Sequence, residues 1–434
     1  MKEARAKRAR NHRPGRRLLA FGEAWDYAPS LEDLDDVPID AKWDLYIGGR
    51  WRAPRGGRYF AARNPVQGSV VARVAEAGAL DVDDALRAAR VAYRDVWSKM
   101  SGAERAKCVF RCARAVEENA RELSVVESMN SARPVQSCRD FDLPLAAAHF
   151  FYYAGWADKL SLAFHGRPWR PLGVIAEVIE SGPALLTAAR KLAPALASGN
   201  TVVLRPLEEA PLATLMLVRI LAGCGLPGGA VNVVTGGVAT AKALAAHRRV
   251  DDGALASARD ARAARGRAHV IFADAPIDQA VDAIVDGMLL DPQAWRSPGG
   301  GLLVEESVEA RVTRKLRDRM ATLRIGSPLD RNTDVGAPGP KARSGRAPQL
   351  TVQTFRTAEE AVAKANGAPS GVAIGVWTDK GAKALWMARR LRAGIVWANT
   401  HARFDPCAPW SGLTEGGSGG DGGPRGLYPY VKLS

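Results

Sequence analysis

Five cysteines, Cys108, Cys112, Cys138, Cys224 and Cys407, are the side chains of this sequence best suited to covalent chemistry. Cys108 and Cys112 are four apart in a helical pattern, which puts both on one face. The spacing admits metal or redox chemistry. No histidine or second cysteine pair accompanies them, so the preferred reading is two small core residues one turn apart. Cys407, in FDPCAPW, has no basic neighbour in sequence to lower its pKa. An odd, scattered set of cysteines predicts reduced thiols and a cytoplasmic protein. Gly236 and Gly237 end an apolar strand run and open a helical one, a position where backbone N–H groups can meet a phosphate.

These residues need elements to position them. DLYIGGRWR (44–52) reads as strand, Gly48-Gly49 turn, strand. Residues 81–98 read as a helix capped by Asp81, with Ala85, Ala88, Ala89, Ala92 and Trp97 as its apolar stripe. A helical pattern continues over 102–129. From 173 to 236 the pattern alternates: strand GVIAEVIE, helix PALLTAARKLAPALASGN, strand TVVLRP, helix APLATLMLVRILAGCGLP, strand AVNVVTGG. Such alternation predicts a parallel sheet with helices on both faces, a doubly wound nucleotide-binding type. A second α/β stretch starts at 269 and resumes in LTVQTFRTAEEAVAKANG and GVAIGVWTD. Residues 326–349 lack periodicity and read as a loop.

The chain has 434 residues, enough for two or three domains. Hydrophobic residues make up 47% and charged residues 25%, which excludes a wholly disordered chain. No apolar run is long enough for a transmembrane helix, and no secretory signal is expected. Of the net charge of +15, much sits in residues 1–17, which hold eight Lys or Arg and one Glu. This block reads as a solvated arm, with nucleic-acid contact the alternative; no nucleic-acid-binding module follows it.

Seven segments in order, APALASGNTVVLRPLEEAPLA, LAGCGLPGGAVNVVTG, VIFADAPIDQAVDAI, LLVEES, TFRTAEEAVAKANG, AGIVWANTHARFDP and GGPRGLYPY, resemble the aldehyde dehydrogenase superfamily. DYAPSLED and RSPGGGLLVEES look most like the first module of a divergent two-module subfamily that has often lost catalytic residues. The resemblance implies an α/β fold with a Rossmann-like doubly wound sheet and an α/β catalytic-type domain, here truncated. It divides the chain into an N-terminal extension (1–42, expected to be disordered), a nucleotide-binding-type domain (43–265, with a shortened oligomerisation arm at 157–172), a catalytic-type domain (266–412) and a glycine-rich loop with a terminal strand (413–434).

It also implies NAD(P)-dependent oxidation of an aldehyde to an acid. A thiolate attacks the carbonyl, an oxyanion hole holds the new charge, hydride leaves to nicotinamide, and a carboxylate-activated water hydrolyses the thioester. The position matching the nucleophile is Arg296, flanked by Trp295 and Ser297. The position matching the general base is Arg262. The position matching the oxyanion-hole residue is Ser181, beside Glu180. A guanidinium stays protonated, so it neither attacks a carbonyl nor accepts a proton. On the cofactor side, Arg205 matches a ribose-binding lysine and Glu208 a ribose-binding acid. Gly236 and Gly237 survive, while Val238 and Ala241 stand where the family has glycines. Ala254-Leu255-Ala256-Ser257 and Ser344 replace two further nucleotide-binding segments. Cys407 and Trp410 match the substrate funnel, with Cys407 a small wall residue.

The expectation is a catalytically silent member of this family, acting as a binding or scaffolding subunit. Its partner would be a second copy or an active paralogue, through the terminal strand and the shortened arm. The alternative is a weak oxidoreductase or an NAD(P)-binding sensor, with Arg205 suited to the 2′-phosphate of NADP. No metal site is expected.

Overall fold

β-branched strand runs alternating with Ala- and Leu-rich helices build two parallel sheets in this chain. The computed structural model describes residues 28–34, 37–253, 267–290, 301–336, 351–367, 373–408 and 422–434. Strands β1 (Lys42–Trp43), β2 (Leu45–Ile47), β3 (Arg50–Arg52), β4 (Tyr59–Arg63) and β5 (Val70–Ala75) come first. β2 and β3 pair antiparallel as the sequence predicts. Gly48 and Gly49 both have positive φ (62° and 82°), the combination that matches a tight turn to the strand twist. A Cβ on Gly49 would lie 2.8 Å from Gly228 Cα, so the turn also needs glycine for close approach. β5 lies parallel to β1 and antiparallel to β4.

Four long helices follow: α1 (Ala79–Asp95), α2 (Gly102–Glu118), α3 (Ala120–Ser131) and α4 (Leu143–Trp156). The cap of α1 differs from the sequence expectation. Gly78 is the N-cap, and Asp81 sits in the first turn, where its carboxylate accepts from Gly78 N (2.8 Å) and Arg55 N (3.0 Å). The helical run 102–129 is two helices, broken at Asn119, whose Nδ2 donates to Ala115 O (2.8 Å).

The first parallel sheet then assembles from β6 (Trp169–Pro171, which stands apart), β7 (Val174–Val178), helix α5 (Ala184–Ala197), β8 (Thr201–Arg205), helix α6 (Leu212–Ala222), β9 (Val231–Val233), helix α7 (Val238–Ala245) and β10 (Asp252–Gly253). Strand order is β10-β7-β8-β9-β2-β3, parallel through β9, with the β2-β3 hairpin added antiparallel at the edge. Alternate strand residues face opposite layers. Ile175, Val202 and Leu204 pack with α2, α4, α5 and α6, while Val174, Ala176 and Val203 pack with α1 and α7.

The second sheet is built from β11 (Arg267–Ile271), helix α8 (Ile277–Leu290), β12 (Gly301–Glu305), helix α9 (Glu309–Ala321), the short pair β13 (Ile325–Gly326) and β14 (Val335–Gly336), then β15 (Thr351–Phe355), helix α10 (Ala358–Asn366), β16 (Ala373–Trp377), helix α11 (Gly381–Ala388) and β17 (Ile395–Ala398). Its order is β15-β12-β11-β16-β17, all parallel. Ile284, Val312 and Leu316 seal one face through α8 and α9; Ala361 and Met387 seal the other through α10 and α11. Both sheets are therefore doubly wound.

The terminal strand β18 (Val431–Leu433) pairs antiparallel with β6 in the same chain. The segment read as loop from 326 on supplies Gly326 and β14 to the β13-β14 pair. It also receives the start of the described chain, which the sequence placed in a disordered extension. Leu31 bridges to Asp330, and Glu32 accepts from Arg331 Nε (2.7 Å) and Nη2 (3.0 Å).

Candidate functional site

Parallel strands release their chains at one edge, where the fold class places its ligand crevice, and the segments after β7, β8 and β9 meet there. Arg205, the last residue of β8, lies buried there. Its Nε donates to Gly236 O (2.8 Å), Nη1 to Ile179 O (3.1 Å) and Nη2 to Glu208 Oε2 (3.3 Å). One guanidinium thus ties together the ends of all three strands. Burial lowers its pKa, opposed by the charges of Glu208, Glu209 and Glu180. The Glu208 side chain is 44% exposed.

Gly236 has φ +149°, and a Cβ there would lie 2.2 Å from Thr240 Oγ1. Thr240 itself donates to Ala77 O (2.8 Å), so the glycine lets this joint close. A Cβ on Gly237 would lie 3.2 Å from both Glu208 carboxylate oxygens. Arg205, Glu208, Gly236 and Gly237, singled out from sequence, therefore form one contact group. Ser181 joins their edge: it is half-buried, two residues after Ile179, and Gly182 (φ +89°) turns the chain into α5.

An adenosine ribose fits this group. Glu208 offers an open carboxylate, and two of the five guanidinium N–H groups of Arg205 are not used by the bonds above. Ser344, matched to the nicotinamide ribose, lies outside the described residues, as do Ala254-Leu255-Ala256-Ser257. Arg262, Trp295, Arg296, Ser297 and Trp410 also lie outside them.

Sequence reasoning missed the group beneath the start of α5. Glu127, on α3 and 1% exposed, accepts from Ala184 N (2.9 Å) and Leu185 N (3.2 Å). An internal carboxylate thus occupies the anion position at this helix N-terminus. Burial, with the Asp142 charge, pushes its pKa up to about 7, opposed by Arg133 and the two amides. Beside it, Arg133 Nε and Nη2 grip the fully buried Asp142 (2.8 and 3.0 Å). Burial drives the neighbouring Cys138 thiol well above its ordinary pKa. A capping glutamate fifty-seven residues from its helix leaves no local sequence signal.

A cavity of about 570 Å3 lies between the start of α4, α8 and the loop after β17. Phe141, Phe404, Asp286, His401 and Asp405 are among its lining residues. Phe141 and Phe404 meet edge to face at 6.1 Å. Cys407 follows the lining residues Asp405 and Pro406 but is itself exposed at the rim. Its amide donates to Asp405 Oδ1 (2.9 Å). The thiol is held by the same carboxylate, which raises its pKa. Among the described residues no His, Cys, Asp or Glu cluster could hold a metal ion, and no helix is long and apolar enough to cross a membrane.

Residues 51–255, 266–344 and 346–434 match the Aldehyde dehydrogenase family. Acetaldehyde dehydrogenase 2 of Cupriavidus necator is 31% identical, over 88% of this chain and 92% of its own length. Retinal dehydrogenase 2 of Homo sapiens is 28% identical, over 90% of each chain. The solved structure of an indole-3-acetaldehyde dehydrogenase in complex with NAD+ superposes with a TM-score of 0.82 at 28% identity, over 91% of this chain and 96% of that one.

Proposed function

This chain belongs to the aldehyde dehydrogenase family, and from that premise we propose that it is a member silent in aldehyde oxidation that keeps a nucleotide crevice as a binding subunit. The observation that carries this reading is the placement of all five sulfurs. Cys108, Cys112 and Cys224 are buried at the end of the first sheet opposite the crevice, because α6 runs back from the end of β8 before Cys224. Cys138 is sealed beside Asp142, and burial disfavours its thiolate. Cys407 is exposed, but the Asp405 carboxylate faces its thiol and opposes ionisation. A thiohemiacetal needs a thiolate, and none of these sites favours one next to the crevice. The Arg residues at 262 and 296 agree with this reading.

NAD or NADP would be held by Glu208 and Arg205 on the ribose side and by the backbone at Gly236-Gly237. When bound, the nicotinamide ring supplies a hydride acceptor. This chain's own residues bind and orient the adenosine half: Glu208 accepts from ribose hydroxyls, and Arg205 holds the three strand ends in register. Arg205 would supply the cation for the 2′-phosphate of NADP through its remaining N–H groups, since three are engaged by Gly236 O, Ile179 O and Glu208. A second copy or an active paralogue would join by extending the β6-β18 pair at its open edges.

The test is an absorbance assay for reduced nicotinamide with acetaldehyde and longer aldehydes, run beside calorimetric titration of NAD+ and NADP+. The expected result is nucleotide binding weakened several-fold by Glu208→Ala, with no turnover. Steady formation of reduced nicotinamide would overturn the silent reading. Absence of nucleotide binding up to millimolar would overturn the binding role.

A further inference from the structure

Residues 327–333, between β13 and β14, form a tongue that leaves the second-sheet part of the chain and lies on α3. Val135 N, just beyond α3, donates to Pro328 O (2.8 Å). The Ser128 hydroxyl reaches the same carbonyl at 3.1 Å. At Gly336 a Cβ would lie 2.2 Å from the carbonyl of Ala132, the left-handed residue that ends α3. Residues 28–32 bond to the same tongue. Ser30 N donates to Asp330 Oδ1 (3.0 Å), Arg331 N to Ser30 O (2.8 Å), Glu32 N to Leu329 O (2.9 Å) and Asn332 Nδ2 to Ala28 O (3.1 Å).

This strap is itself anchored on the helices of the first sheet. Arg121, on α3, donates from Nη2 to Asp33 O (2.9 Å), and its Nε lies 3.7 Å from Glu32 Oε2. Val37 is buried in the first core, and Arg219 on α6 holds Asp40 Oδ2 (2.9 Å) and Pro38 O (3.1 Å). The Glu32 carboxylate, 5% exposed, therefore stands between Arg331 of the tongue and Arg121 of α3. The tongue is tied to α3 directly and a second time through the strap.

Helix α3 works with two faces. At 3.6 residues per turn, Arg121, Ser128 and Ala132 share one face, the one that meets the strap and tongue. Glu127 and Asn130 lie on another. Glu127 caps α5 through Ala184 and Leu185. Asn130, 2% exposed, accepts from Leu212 N at the start of α6 (3.0 Å), and its Nδ2 reaches Glu209 O at 3.5 Å. These two helix starts follow β7 and β8, next to Ser181 and Glu208.

We propose that the strap is a conformational clasp: its hold on the tongue fixes α3, and through Glu127 and Asn130 it sets how firmly the starts of α5 and α6 frame the crevice. A helix gripped on one face and capping two others from a second face transmits the hold as one rigid element. The Arg331 and Arg121 side chains are 48% and 41% exposed, so the clasp opens without stranding a buried cation. The clasp concerns the frame of the crevice and stands whether or not a nucleotide binds there.

The experiment is amide hydrogen exchange read by mass spectrometry on the full chain, comparing the parent with Glu32→Gln and Arg331→Gln. Each variant breaks the Glu32–Arg331 pair from one side. The expected result is several-fold faster exchange in both, at the strap and tongue and also in peptides covering Val135, Ala184–Leu185 and Leu212. Peptides from β11 and β16 of the second sheet should not change. Arg356→Gln, which breaks the exposed Arg356–Glu306 pair, should leave all of these peptides as in the parent. Faster exchange confined to 28–34 and 327–333, or no change at all, would overturn the proposal. A uniform rise that includes β11 and β16 would overturn it too, since that reports loosening of the whole chain.

Discussion

The Glu127 carboxylate on α3 receives the backbone amides of Ala184 and Leu185 and so closes the first turn of α5 from a different helix. The carboxylate is fully buried with a pKa pushed up to about 7. A raised folded-state pKa means the folded chain binds the proton more tightly than the unfolded chain. The stability from this group is therefore complete below its ordinary value near 4.5, falls as pH rises from there to about 7, and is level above that. Glu127→Gln removes this component. Urea midpoints measured from pH 4.5 to 8 should fall less steeply for the variant than for the parent; parallel curves would contradict the burial argument.

Asp142 and Arg133 form a buried ion pair next to that carboxylate. Asp142→Asn leaves the Arg133 charge in a dry site with its main partner gone. The expected cost is about 3 kcal/mol in equilibrium unfolding. A change near zero would mean that Glu127 or water takes over the cation.

The hairpin turn depends on glycine for two independent reasons. Gly49 has φ +82°, and Gly228 Cα lies where its Cβ would go. Gly49→Ala should cost about 2 kcal/mol or more, from the left-handed backbone and the forced shift of the 228 loop. The same replacement at Gly57, also at positive φ (62°) but with open space around it, should cost less. Thermal unfolding of the two variants side by side checks the order.

Cys407 is exposed but restrained by the Asp405 carboxylate. Asp405→Ala should let its pKa fall toward the ordinary thiol value and raise the rate of iodoacetamide alkylation at pH 8 several-fold. An unchanged rate would mean that the carboxylate does not face the sulfur in solution.

Much of this architecture was legible because it rests on local periodicity. The β-branched runs 174–178 and 201–205 and the amphipathic helices between them declare a parallel sheet, and Gly48-Gly49 declares its hairpin. Gly236 and Gly237 were legible as the end of a strand run, whereas Arg205 and Glu208 were picked out only through the family resemblance. Asp81 was misplaced by three positions, because an acid in the first turn and an acid at the N-cap both satisfy early amides, and Gly78 gives no side-chain signal. Glu127 was not legible at all. Its partner Ala184 lies far away in sequence and meets it only through helix packing. The acidic lead-in shows no apolar period, so its docking through Glu32 and Arg331 left no trace either.

The central claim is that no sulfur of this chain is placed to form a covalent bond with an aldehyde in the nucleotide crevice. Incubation with NAD+ and an aldehyde, followed by acid quenching and peptide mapping of all five cysteines, tests it directly. The account predicts unmodified thiols and no reduced nicotinamide. An acyl group on any one cysteine, formed together with reduced nicotinamide, would contradict it.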